Sequence, residues 1–185
     1  MSQKEEPKLY TRYPLSSILT YNITTILHYA LGGIGIILAF GLGVGYIVGA
    51  FYLIFSFVDM YLLIPLKVCP NCVYYELDNA VCISSLNVVS RKIAKKGNTP
   101  DFAKRAKGIF CPNNLYLAAL ILPLIIIIPA LIFNFSIALL IIALLILGLL
   151  MFRVFALIPR MACSHCRAND TCPNTQAMGS NKSAK

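Results

Sequence analysis

The sequence lacks charge over two long stretches. No Asp, Glu, Lys or Arg occurs between Leu15 and Val58, or between Tyr116 and Phe152. Apolar runs of that length are insoluble as a globular surface, which excludes a soluble domain and implies an integral membrane protein. Charged residues make up 12% of the chain and hydrophobic ones 58%, with mean hydropathy +0.76, against roughly 45–50% apolar for a soluble domain. Motifs are missing too. There is no serine–histidine–acid set, no phosphate-binding glycine loop and no paired-carboxylate site, which points away from an enzyme. Near the start, Glu5 and Glu6 stand beside Lys4 and Lys8, and no short apolar segment ends in a small-residue cleavage site. A secretory signal peptide is therefore not expected.

The first apolar run covers 15–66. As one helix it would be about 75 Å long, far beyond the ~30 Å hydrocarbon core, so it must fold back. The most glycine-dense point, Phe40-Gly41-Leu42-Gly43-Val44-Gly45, is the expected turn. That gives spans at about 17–40 and 45–65, the second ended by Pro65. The second run covers 115–158, with a turn at Phe133-Asn134-Phe135-Ser136 and spans at about 115–132 and 137–158. Pro123 and Pro129 are expected to bend the third span, and Pro159 to stop the fourth. Gly32, Gly33, Gly35, Gly45 and Gly49 suit close helix packing in lipid.

The remaining segments are polar. Residues 1–14 carry Tyr10, Tyr13 and Pro14, suited to an interfacial approach. A cysteine-rich basic loop covers 67–114. Within it, 83–96 reads as a basic amphipathic helix with Leu86, Val89 and Ile93 on one face and Gly97 as a stop. Such a helix suits the membrane surface, or packs on the cysteine site. Thr99-Pro100-Asp101 starts a further short basic helix to about Lys107. A second cysteine-rich segment covers 159–174, and 175–185 is a short polar tail expected to be disordered.

One pattern occurs twice. Leu63-Ile64-Pro65 followed by Cys69-Pro70-Asn71-Cys72 recurs as Leu157-Ile158-Pro159 followed by Cys163-Ser164-His165-Cys166, 94 positions on. Both copies close an apolar run. The expected fold is therefore an all-α integral membrane protein of four transmembrane helices. They form two tandem hairpins, an internal duplication, with a cysteine-rich cytoplasmic face. The net charge of +9 fits that topology. The basic residues fall before the first run, between the runs and after the second, and the positive-inside rule makes that side cytoplasmic, with both termini there. The basic balance is read as a topology signal, and no nucleic acid is expected as a partner.

The same offset sets Asp59 against Arg153, about two turns below the proposed cytoplasmic ends. Intramembrane charges are costly unless paired or hydrated. The expectation is an Asp59–Arg153 ion pair tying the second span to the fourth, with His28 at similar depth joining it. A proton or ion relay through His28 and Asp59 is the functional alternative, but no ionisable residue continues the path across the outer half.

Seven cysteines remain: Cys69, Cys72, Cys82, Cys111, Cys163, Cys166 and Cys172. On a reducing face they suggest metal ligation before disulfides. A Cys-x-x-Cys turn aims two thiolates at one tetrahedral ion, which favours zinc. In one ligand set Cys69, Cys72, Cys82 and Cys111 share an ion, and Cys163, Cys166 and Cys172 take a second, with His165 or an outside group as the fourth ligand. In the other, the two turns share one ion. The first is preferred, because each turn has its own following cysteine. An iron–sulfur cluster is the alternative cofactor.

The expected function is a non-enzymatic scaffold or accessory subunit of a membrane assembly. Its metal face would meet the lipid bilayer, anionic lipid head groups or other membrane subunits. A membrane electron-transfer or thiol–disulfide redox protein is the alternative, although no βαβ pattern supports a thioredoxin domain. A curvature-shaping hairpin protein is third.

Overall fold

The computed structural model describes residues 9–102, 112–169 and 172. Their regular secondary structure is helical, with isolated bridges Tyr10–Cys166 and Arg12–Val81 in place of strands. Four helical stretches, Leu15–Phe40, Gly43–Asn71, Asn114–Phe133 and Ile137–His165, are long and apolar enough to cross a membrane. The chain is an integral, multi-pass membrane protein.

Helix α1 is Leu15–Phe40 and α2 is Leu42–Val58. The expected six-residue turn is in fact one residue. Gly41 alone reverses the chain, at φ 76° and ψ 178°, a backbone region open to glycine. Gly43 and Gly45 therefore belong to α2. Gly45 lets the α2 backbone meet the Ile37 carbonyl of α1, and Gly49 faces the Ile37 side chain.

The second span does not end at Pro65. After α2 the helix widens to a π turn over Asp59–Leu63, then continues as α3, Ile64–Lys67. The Ile64 N–H reaches back five residues to the Asp59 carbonyl. Proline supplies the physical reason. It donates no hydrogen bond, and its ring crowds the carbonyl four residues earlier, so a wider turn relieves both. The fourth span behaves alike. Following Pro112–Phe133 (helix α6, taken up below), α7 is Ile137–Phe152. It passes into a π-helical stretch, Arg153–Ala162, that carries Pro159 within it. Pro159 does not stop the helix. Both spans then tighten into a 3-10 turn, Cys69–Asn71 and Cys163–His165.

Between the hairpins lie α4, Val73–Glu76, and α5, Leu86–Ile93. Helix α5 is shorter than the expected 83–96, and its faces differ. Leu86, Asn87 and Ser90 are buried, whereas Val89 and Ile93 are exposed. Thr99–Asp101 forms a 3-10 turn, and the continuation to Lys107 lies outside the described residues, as does the 175–185 tail.

Helix α1 is central. It packs on α2, α6 and α7, while α6 also meets α7 and the Asp59–Leu63 turn. Helices α2 and α7 share no comparable face. Gly32 of α1, Tyr52 of α2 and Pro123 of α6 meet at one junction. A side chain at Gly32 would stand 2.7 Å from the Tyr52 hydroxyl and 2.8 Å from Pro123 Cγ. Pro123 keeps α6 helical but leaves the Ala119 carbonyl, four residues back, without its helical donor. The Tyr52 hydroxyl donates to that carbonyl at 3.0 Å.

Tyr52→Phe is therefore expected to lower stability in detergent by about 1–3 kcal/mol, because it strands a buried carbonyl. In a Pro123→Ala background, where residue 123 regains its N–H, the same change should cost much less. Thermal unfolding of the four proteins checks this; equal losses in both backgrounds would show that Tyr52 does not serve that carbonyl.

Candidate functional site

Two groups of chemistry-bearing residues stand out. The first surrounds the cysteine turns. Cys69 to Cys72 and Cys163 to Cys166 take one local conformation. The Cys72 N–H donates to the Cys69 carbonyl at 3.0 Å and the Cys166 N–H to the Cys163 carbonyl at 3.2 Å. Cys72 and Cys166 then turn extended, at φ −87°, ψ 145° and φ −82°, ψ 128°.

The N-terminal segment joins the second turn to the first loop. The Tyr10 N–H donates to the His165 carbonyl at 3.0 Å, and the Tyr13 hydroxyl to the Ala162 carbonyl at 2.5 Å. The segment also exchanges bonds with the first loop: Tyr13 N–H to the Val81 carbonyl at 3.0 Å, and Val81 N–H to the Thr11 carbonyl at 3.1 Å. The Tyr74 hydroxyl donates to the Tyr10 carbonyl at 2.7 Å and accepts from the Arg167 N–H at 3.3 Å. Buried Tyr13, Tyr74 and Ala80 form a small core against which Cys72, Cys82 and Cys166 pack.

Asn87 ties the loop from beneath. Its Oδ1 accepts from the Cys82 N–H at 3.0 Å, and its Nδ2 donates to the Tyr74 and Ala80 carbonyls at 3.1 and 2.8 Å. Sequence reading gave Tyr13 only an interfacial role and missed Tyr74 and Asn87. A polar segment beside a cysteine loop carries no periodic signal that would have marked them.

Among the described residues the cysteines form no disulfide. Burial pushes the Cys72 thiol up to about 12; the Tyr74 N–H pulls the other way, and nearby Cys82 and Cys172 raise it further. Burial does the same to Cys166, also to about 12, opposed by the Ala168 N–H and raised by Cys72, Cys172 and Cys163. Cys72 and Cys166, one from each turn, pack against the same small core, as does Cys82. As the side chains are positioned, no three Cys, His, Asp or Glu groups among the described residues come close enough to hold a metal ion. Cys111 lies outside the described residues. The His165 ring stacks on Tyr10 at 4.6 Å.

The second group lies inside the bundle. Thr25, His28, Tyr29, Asp59 and Arg153 are all fully buried. The expected Asp59–Arg153 ion pair does not form. The physical reason is the packing: Asp59 leaves the second span and Arg153 the fourth, and those spans are not neighbours. Arg153 instead lies between two tyrosine rings, its guanidinium carbon 5.2 Å from the Tyr21 centroid and 5.5 Å from that of Tyr116. The two phenol oxygens are 3.3 Å apart. Arg153 Nη2 donates to Thr25 Oγ1 at 2.6 Å, and Thr25 donates to the Tyr21 carbonyl at 2.8 Å. Ring faces attract a desolvated cation, which compensates part of the missing carboxylate.

His28 is engaged elsewhere: its Nε2 donates to the Leu120 carbonyl at 2.9 Å, and its ring meets that of Tyr29 edge-on at 6.4 Å. Both Asp59 oxygens, the Tyr29 hydroxyl, His28 Nδ1, and Arg153 Nε and Nη1 have no hydrogen-bond partner among the described residues. The tyrosines around Arg153 were the residues that sequence reading did not find.

Thr25→Val should remove the Arg153 hydrogen bond and lower stability in detergent by about 1.5–3 kcal/mol, the range for bonds to charged groups. Thr25→Ser should restore most of it. Unfolding midpoints of the three proteins test this, and a Thr25→Val loss below about 0.5 kcal/mol would mean the bond contributes little.

The chain matches no family model, no curated protein and no solved structure.

Proposed function

We propose that the chain is a non-enzymatic membrane scaffold or accessory subunit whose cysteine end is ordered by a soft divalent cation, zinc first. The packing of Cys72 and Cys166 on one small core carries this reading. Two Cys-x-x-Cys turns in one conformation each set their second cysteine against Tyr13, Tyr74 and Ala80. The donor chemistry fits zinc, because thiolates on tight turns suit a closed tetrahedral site.

Cys69, Cys72, Cys163 and Cys166 would hold the ion. That Cys72 of the first turn and Cys166 of the second pack on the same small core supports the shared arrangement over one site per turn. When bound, the cation keeps its thiols deprotonated and cross-links the two hairpins. Cys82, Cys111 and Cys172 would be left to a neighbouring site.

The 94-residue offset in sequence, repeated in the π turns and the 3-10 turns, supports an internal duplication. The basic residues Lys67, Lys92, Lys95, Arg160 and Arg167 belong to the same end, so the positive-inside rule supports a cytoplasmic placement for it and for both termini. Thiol–disulfide exchange is less well supported. Thiols raised by burial are weak nucleophiles.

Metal analysis with a visible spectrum on protein purified in mild detergent tests the proposal. The expected result is about one zinc per chain in a colourless sample. Cys72→Ser and Cys166→Ser should each lower zinc retention and speed tryptic cleavage in 67–114. Absence of stoichiometric metal, with a loop equally protease-resistant in chelator, would overturn the scaffold reading; a brown sample would replace it with electron transfer.

A further inference from the structure

We infer that the outer face of α5 seats on the surface of the bilayer, with Lys92 and Lys95 on anionic head groups. The inference stands apart from the thiol reading and does not need a bound metal. Helix α5 has two faces of different kinds. The inner face is fixed: Leu86 joins the bundle core with Met60 and Cys69, and Asn87 and Ser90 are buried. Arg91 is also committed inward, donating to the Tyr74, Tyr75 and Leu77 carbonyls.

The outer face carries Val88, Val89, Lys92 and Ile93, all exposed. Val88, Val89 and Ile93 are 36%, 42% and 46% exposed, so three of these four outward positions are apolar. A helix face of that kind turned to bulk water gains nothing, whereas an interfacial helix places such residues in the head-group boundary with lysines beside them.

Position selects the bilayer as the occupant. Helix α5 packs on α3, the last turn of a membrane span, and on the Cys69–Asn71 turn. Leu66 of α3 and Leu62 one turn before it are themselves exposed, so the element that α5 packs on carries apolar side chains outward at the end of a membrane span. Charge agrees. Lys96 is paired with Glu76 at 3.4 Å, the one ion pair among the described residues, which leaves Lys92 and Lys95 available to anionic lipid.

The chain has no tryptophan, so Val89→Trp or Ile93→Trp introduces a single reporter at an exposed site. Each full-length variant is reconstituted into phosphatidylcholine vesicles with and without phosphatidylglycerol, some brominated just below the head group. Asn98→Trp serves as the water-facing control. The expected result is blue-shifted emission quenched by the brominated lipid at 89 and 93 but not at 98. Quenching should be stronger with phosphatidylglycerol, and Lys92→Glu with Lys95→Glu should reduce that anionic increment by roughly half or more. Water-like emission at 89 and 93 would overturn the inference. So would blue-shifted emission that brominated lipid does not quench, which marks a second copy or another protein on this face. Quenching indifferent to lipid charge would overturn the assignment of the lysines.

Discussion

In hydrocarbon a backbone carbonyl without a donor has no water to turn to, and the bundle is arranged around that fact. Four prolines interrupt the helices that cross or end at the membrane: Pro65, Pro123, Pro129 and Pro159. At Pro123 the stranded carbonyl of Ala119 takes the Tyr52 hydroxyl, and the next carbonyl, Leu120, takes His28. Gly32 is small because the Tyr52 hydroxyl and the Pro123 ring occupy the space a larger residue would need. The α1–α2–α6 junction is thus a set of mutual obligations. One proline on α6 sets a tyrosine on α2, which sets a glycine on α1.

The π segments answer the same constraint differently. Near Pro65 and Pro159 the helix widens instead of recruiting a side chain. Widening by one residue shifts the face presented by everything before it. Asp59 and Arg153 open these segments and are buried. The polar groups gathered between Arg153 and Asp59 lie toward the cysteine end. Beyond them the core is Ile127, Leu139, Ala143 and Ile146.

How much of this was legible depended on the kind of signal. Charge-free runs announce spans, because lipid tolerates nothing else, and all four were found within a few residues. The Gly41 reversal fell inside the expected stretch, but three glycines two apart cannot say which one turns. That Pro65 and Pro159 would widen their helices was not legible, since proline in a sequence reads as a stop. The Asp59–Arg153 pairing failed for a different reason. Equal offsets in a repeat say nothing about which spans become neighbours, and here α1 stands between them. The amphipathic segment 83–96 was seen, but its apolar residues were assigned to one face when Leu86 turns inward and Val89 and Ile93 outward. The clasp by Tyr10 and Tyr13 was not foreseen: the two read only as interfacial residues, and their backbone and hydroxyl bonds join segments far apart in the chain.

The single-residue reversal at Gly41 and the short link Asn134–Ser136 leave no slack at the end remote from the cysteines. A bundle so tightly stitched cannot lengthen or shorten there to follow a thicker or thinner membrane. It must tilt as a block or deform the leaflet around it. The cell compartment whose membrane best matches its height is therefore the one in which it rests with least distortion.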